Sequence, residues 1–378
     1  MDLSLTPTQE MLRTTAREFV AQECPTTFVR QMDEQGDGFS RALWQKMSGL
    51  GWVGMIIPEE YGGGGSTLAD LAVVYEEMGR GLLPSPHHSS AVLCALILMN
   101  GGSASQKQSL LPSIAKGERI LSFVHTEPEY GWDPECVNLS ATRAGGRFLL
   151  NGTKLFVHDT HIADTLVVTA RTKQDATPRN GVTLFLIDRN TPNVSVRTLG
   201  GFTGERQNEV VFNNVAIGEE MVVGAVDGGW PIIEKALDPA TAVLCAYMVG
   251  GLQTCYEWTV NYARTRQQFA VPIGTFQRVQ DHVLEIVNHL DAARWTTYEA
   301  LWKLDTNQPG AAESVSIAKT VTSEGFEWGT HHAHEVHAGI GYSKDYGLYL
   351  YTKKARTLFH YLGDPDFHRR RIAEMLAL

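Results

Sequence analysis

The sequence predicts an α+β chain of three consecutive blocks: helical, then β, then helical again. Three observations carry this: an apolar period of helical spacing over residues 6 to about 117, alternation broken by turn residues from about 119 to 226, and a return of long helical periodicity from there to residue 378. The expected domains are an N-terminal α-helical domain at 1–118, a middle β domain at 119–226, and a C-terminal α-helical domain at 227–378 built like a four-helix bundle.

In the first block, TPTQEMLRTTAREFVAQE offers Thr6 or Thr8 as N-cap and then repeats apolar residues at helical spacing. SRALWQKMSGLGW and LADLAVVYEEMGRGL do the same, and PEEYGGGG between them reads as a loop. In the second block, GRFLLNGTKLFV sets Asn151-Gly152 between two apolar runs, which is the strongest short hairpin signal. TLVVTARTK, GVTLFLIDRN, VSVRTLG and NEVVFNNVAI complete a small antiparallel domain of about six to eight strands. In the third block, IIEKALDPATAVLCAYMVGGLQTCYEWTVNYARTR, FQRVQDHVLEIVNHLDAARWTTYEALWKL and AAESVSIAKTVTSEGFEWGTHHAHEVHA are three long helices. Ala236, Ala242, Ala246, Gly250 and Gly251 on the first of them let neighbouring helices approach closely.

Composition narrows the function classes. A formal net charge of -10 argues against a nucleic-acid partner, which would call for a surplus of Lys and Arg. No apolar run reaches the roughly 18 residues of a membrane span, and MDLSLTPTQEMLRTTAREF has neither a basic nor an apolar leader region, so a cytoplasmic location is expected. Five cysteines without CxxC spacing are expected to be reduced, buried and inert. In HHAHEVH, His331, His334 and His337 share one helical face, which raises a metal site. Glu335 points elsewhere on that helix, so polar packing or ligand contact ranks above metal and no metal is expected.

Between the first two long helices of the last block lies RQQFAVPIGTFQ. Proline and glycine break the helix, freeing Arg266, Gln268 and Gln277 to project from a loop and a helix start, where backbone N–H groups favour anions. Arg266 supplies a planar fork suited to pyrophosphate and Phe269 an aromatic face.

The order of blocks and these motifs together resemble the acyl-CoA dehydrogenase family of flavoproteins over essentially the whole chain. GWVGMIIPEEYGGGGSTLADLAVVYEEMGR, SFVHTEPEYGWD, FLLNGTKLFV, ARTRQQFAVPIGTFQ and HAGIGYSKDYGLYLYTKKA are similar to successive family segments. The resemblance implies an acyl-CoA dehydrogenase with FAD held between the β domain and the C-terminal bundle. Arg266, Gln268, Phe269 and Gln277 fall on contacts that cross a dimer to pyrophosphate and adenine. Gly339 and Gly341 fall where backbone closely approaches FAD, Thr126 beside the flavin pyrimidine, His158 in place of the threonine that reaches flavin N5, and Glu335 in place of a glutamine before the glycines.

In the family an acyl-CoA thioester loses its α-proton to a glutamate while the β-hydride passes to the flavin, and electrons leave through an electron-transfer flavoprotein. One family position for that glutamate corresponds here to Leu362, in Tyr361-Leu362-Gly363-Asp364, and the other corresponds to Ala240, followed by Thr241. Neither Leu362 nor Ala240 can take a proton. The tail Gly-Asp followed by HRRR resembles the base-deficient subunit of heteromeric family members, in which a homologous subunit of a heterotetramer brings the glutamate. The alternatives are a homo-oligomer using Asp364 as base, with Asp364 as a plain helix cap the blander reading of that residue, and a flavin monooxygenase or oxidase of the same fold drawing on His158 or His125.

Overall fold

The computed structural model describes residues 4–201 and 206–378. The first helices are α1 (Pro7–Glu23), α2 (Thr26–Glu34), α3 (Arg41–Gly49), α4 (Leu68–Arg80), α5 (Ala95–Gly101) and α6 (Ala104–Ala115). The strands are β1 (Leu121–Val124), β2 (Ser140–Ala144), β3 (Arg147–His158), β4 (Thr165–Arg171), β5 (Val182–Asp188), β6 (Val194–Thr198), β7 (Gln207–Gly218) and β8 (Val222–Val223). Then follow α7 (Trp230–Thr265), the short pair β9 (Gln267–Gln268) and β10 (Val271–Pro272), α8 (Gln277–Asp305), α9 (Ala311–His337), α10 (Leu348–His360) and α11 (Pro365–Met375). The helical, β, helical order is the one the sequence predicts. Among the described residues no helix is long and apolar enough to cross a membrane.

The chain packs as two compact units, one of Met1–Glu34, Thr67–Pro84 and Thr241–Leu378, the other of Gln35–Ser66 and Ser85–Ala240. In the first unit, Thr6 rather than Thr8 caps α1, in a reciprocal capping box with Gln9. Thr67 and Asp70 start α4 the same way, and both carboxylate oxygens of Asp305 accept from Leu68 N and Ala69 N at 2.9 Å.

Helices α4 and α7 cross with their backbones touching. A Cβ on Gly79 would lie 1.8 Å from the Tyr247 carbonyl oxygen, and one on Gly250 would lie 1.8 Å from that of Glu76. A Cβ on Gly251 would lie 2.6 Å from the Phe326 ring of α9. The close approach expected from the small residues of α7 is thus made by Gly250 and Gly251. Lys319 of α9 is fully buried, and its Nζ donates to Ser323 Oγ at 2.8 Å and to the α10 carbonyls of Leu358 and Phe359 at 2.9 and 3.1 Å. It therefore caps the negative end of α10 from inside the bundle. Burial pushes its pKa down to about 8.

The second unit is built on one eight-stranded sheet, ordered β6-β7-β3-β2-β4-β5-β8 with β1 beside β4. It is mixed rather than antiparallel, because β1 and one residue pair of β2 run parallel to β4. The hairpin expected at Asn151-Gly152 is not there. Both residues lie inside the continuous strand β3, at a register shift against β7, where Asn214 N donates to Asn151 Oδ1 at 2.8 Å. The dipeptide marks a bulge, and Gly152 is needed there for its φ of 142°. The tight turn falls instead at Gly145-Gly146, both at positive φ, between β2 and β3.

All five cysteines are free. Cys24, Cys94, Cys245 and Cys255 are buried and Cys136 partly so, and burial raises the pKa of every one. Substituting Gly250→Ala in a helix would ordinarily stabilise by about 1 kcal/mol. Here the added methyl meets a backbone carbonyl, so destabilisation of about 1–3 kcal/mol or more is expected, measured as a lowered midpoint of chemical unfolding.

Candidate active site

In the second unit the segment after β1 is stitched to the end of β3. Leu155 N donates to Thr126 O at 2.9 Å and Thr126 Oγ1 donates back to Leu155 O. The fully buried Lys154 supports the join from below, its Nζ donating to His125 O at 2.8 Å, Thr169 Oγ1 at 2.9 Å and Glu127 Oε1 at 2.7 Å. The same Glu127 oxygen accepts from Asn138 N and Leu139 N. Burial pushes the Lys154 pKa down to about 8, with the attraction of Glu127 only partly offsetting it. Thr126 and His158 are thereby held on neighbouring chain segments. His158 is half-buried with Gln207 Nε2 at 3.2 Å from its Nε2, and Phe156, two residues earlier, is exposed at φ 57°.

The first unit joins two further segments. The loop from Arg266 to Phe276 returns on itself through Ile273 N donating to Arg266 O at 2.9 Å, and Ile273 packs with Ala263 and with Val336 near the end of α9. Tyr262 stacks on His337 at 4.6 Å. Arg266, Gln268, Phe269 and Gln277 are all exposed, Phe269 to 89%. Gln277 opens α8, whose N-cap Phe276 makes no side-chain capping bond. Glu335 is exposed on the last turn of α9. Gly339 and Gly341 differ: a Cβ on Gly339 would meet nothing within 4 Å, whereas one on Gly341 would lie 2.8 Å from His334 Nδ1. Gly341 is thus required by packing, and Gly339 leaves open backbone.

Within HHAHEVH, His331, His334 and His337 do not converge on one point. His334 Nε2 pairs with Thr352 Oγ1 at 2.8 Å, His337 lies between the Ala333 carbonyl and the Tyr346 hydroxyl, and His331 meets the edge of Trp328.

Leu362 is buried in the tight turn between α10 and α11, at φ 61° with Gly363 at 98°, and its carbonyl accepts from His368 Nε2 at 3.0 Å. Asp364 is the N-cap of α11, its Oδ1 accepting from Phe367 N at 2.8 Å with Pro365 at the first helical position. Ala240 and Thr241 are buried in α7.

Sequence reasoning missed His88, which sits in a π-helical stretch (His87–Cys94) and donates from Nε2 to the Ala240 carbonyl at 2.9 Å. Burial pushes its pKa down to about 4. It also missed Lys154 and Glu127. The signal for Lys154 was present, since a lysine stands on the inward parity of β3 shared by Phe148 and Leu150.

Sequence profiles of the acyl-CoA dehydrogenase N-terminal, middle and C-terminal domains match residues 6–118, 122–215 and 227–377. The chain therefore belongs to the acyl-CoA dehydrogenase family, whose cofactor is FAD. It is 28% identical over 381 residues to the probable acyl-CoA dehydrogenase YngJ of Bacillus subtilis (strain 168), covering 100% of both chains. Among solved structures it is similar to the FAD complex of PigA (TM-score 0.94, 27% identity, covering 100% of both chains). It is also similar to the ChsE4-ChsE5 complex from Mycobacterium tuberculosis (TM-score 0.89, 27% identity, covering 100% of this chain and 99% of that one).

The residues present fit a dinucleotide. The first unit offers an α8 start without a side-chain cap, open backbone at Gly339, an exposed aromatic at Phe269 and a buried His334 Nδ1 without a hydrogen-bond partner among the described residues.

Lys154→Met strands Glu127 in a dry interior, so a loss of about 3–5 kcal/mol is expected, read as a shift in the unfolding midpoint. The double variant Lys154→Met/Glu127→Gln removes the stranded charge and should recover part of that loss.

Proposed function

We propose that this chain is one subunit of a hetero-oligomeric acyl-CoA dehydrogenase that carries out α,β-dehydrogenation of a CoA thioester, with a homologous subunit supplying the carboxylate base and an electron-transfer flavoprotein accepting the electrons. The observation that carries this reading is that both positions corresponding to the family's glutamate are buried hydrocarbon, Leu362 and Ala240, while the neighbouring Asp364 is committed to the first turn of α11. Similarity to a chain of the ChsE4-ChsE5 complex supports it.

FAD, when bound, supplies the hydride acceptor. The chain's own residues bind and orient it. Arg266 and the α8 start would offer charge and N–H groups to its pyrophosphate, Gln268 and Phe269 would serve a dinucleotide shared with a second subunit, and Thr126 and His158 would serve its ring. Removing the substrate's α-proton is left to a group outside this chain.

His88 favours a second reading, an in-chain base in a homo-oligomer. Its Nε2–H donates to Ala240 O, so Nδ1 is the proton-accepting nitrogen. A pKa near 4 makes it a weak base, and the driving force for taking a thioester α-proton falls with it. Asp364 as base must give up its cap. An oxidase or monooxygenase built on His125 is disfavoured, because burial holds that ring neutral between Phe123 and Trp132.

Flavin content and turnover check the proposal. Arg266→Ala should lower FAD retained per subunit through gel filtration, in line with the loss of a charge-assisted bond of about 1.5–3 kcal/mol; unchanged flavin content removes Arg266 from the site. The chain alone should reduce an artificial acceptor at a rate about 100- to 10,000-fold below the assembly containing its homologous partner. Within that assembly Asp364→Asn should keep its rate, and replacement of the partner's glutamate should abolish it. Fast turnover by the pure homomer overturns the two-subunit reading, and loss of flavin reduction in Asp364→Asn with FAD and substrate still bound gives the role to Asp364.

A further inference from the structure

Helices α8 and α9 bring together a set of ligands that the flavin site does not use. On α8, His282, Glu285 and His289 follow one another at i, i+3 and i+7, which places all three on one helical face. His332 comes from the adjacent helix α9. The ligand atoms of Glu285, His289 and His332 all lie within 4.8 Å of one another.

We propose that Glu285, His289 and His332 form a site for a divalent transition metal that fastens α8 to α9, with zinc as the ion their chemistry fits best. Two imidazoles and a carboxylate are borderline ligands of the kind zinc takes, and three such ligands with a water complete a tetrahedron. Zinc bonds of about 2.0–2.1 Å put neighbouring ligand atoms roughly 3.3 Å apart, so the observed spacing closes with small side-chain rotations. The second shell is already present: His282 Nδ1 stands 2.9 Å from His332 Nδ1, an imidazole pair that orients the His332 ring. Two charges of opposite sign act on His282: Arg278, one helical turn before it on α8, and more weakly Glu335, one turn beyond His332 on α9. Glu285 is exposed and both histidine ligands are half-buried, so an ion can enter from solvent. The triad differs from the one that the sequence pattern suggests, because His331, His334 and His337 each have other neighbours.

The test is to strip the purified flavoprotein with a chelator, dialyse it and titrate it with Co(II), reading the ligand-field band at wavelengths beyond the flavin absorption. One Co(II) per chain is expected, displaced by Zn(II), with Zn(II) raising the thermal midpoint. His289→Ala and His332→Ala should abolish the band and the thermal shift, whereas His331→Ala, on the neighbouring residue, should keep both. Glu285→Gln changes an exposed position that the fold tolerates and should weaken Co(II) binding at least tenfold, which keeps the test open should a histidine variant fail to fold. Absence of saturable binding, or binding unchanged in Glu285→Gln and in every histidine variant that folds, overturns the proposal.

Discussion

The backbone contact between α4 and α7 is the constraint on which the first unit depends. With Gly79 and Gly250 each pressed against a carbonyl of the other helix, the axes come closer than side chains would permit, and the residues flanking the crossing fall into fixed places. Glu76 then receives Arg294 and Tyr298 of α8, and the Arg80 carbonyl receives Thr254 of α7 and Tyr351 of α10. Arg80 itself forms a two-point pair with Glu257. A short helix from the N-terminal part of the chain thus becomes an axle around which three C-terminal helices are arranged, and the loop after α7 and the end of α9 inherit their positions from it.

Buried cations recur as internal connectors. Lys154 ties a loop to a strand in one unit and Lys319 closes a helix end in the other, and each spends its donors on carbonyl oxygens, with hydroxyls or a carboxylate completing the set. Burying a charge is costly unless its hydrogen bonds are met, and here each ammonium has three oxygen acceptors. Such residues fix geometry more than they add stability, which is what a site assembled from separate chain segments requires.

The long helices were legible because α7, α8 and α9 keep one apolar period across many turns, with Pro309-Gly310 after α8 and Gly339 after α9 marking two of the ends. The strand block was legible as a block, yet Asn151-Gly152 misled: the dipeptide suits a turn and a bulge equally, and only the partner strand, with Asn214 opposite, decides between them. The candidate flavin segments could be found because each is continuous in sequence. His88 against Ala240, and His332 against residues of α8, could not, since those contacts join positions far apart in the chain and no local period reports them. Asp364 lies between these cases. Asp-Pro announces a helix start, and the cap is there, but whether the carboxylate also does chemistry is not written in local pattern.

The distribution of the five thiols gives the molecule an internal record of its own opening. Cys24, Cys245 and Cys255 belong to one compact unit and Cys94 and Cys136 to the other, and burial suppresses the thiolate of each. An alkylating reagent therefore reacts with each of the four buried cysteines at the rate at which the structure around it comes apart, while the partly exposed Cys136 reacts ahead of them. Which peptides become labelled, and in what order, distinguishes breathing of the helical bundle from loosening of the sheet, without any probe being introduced.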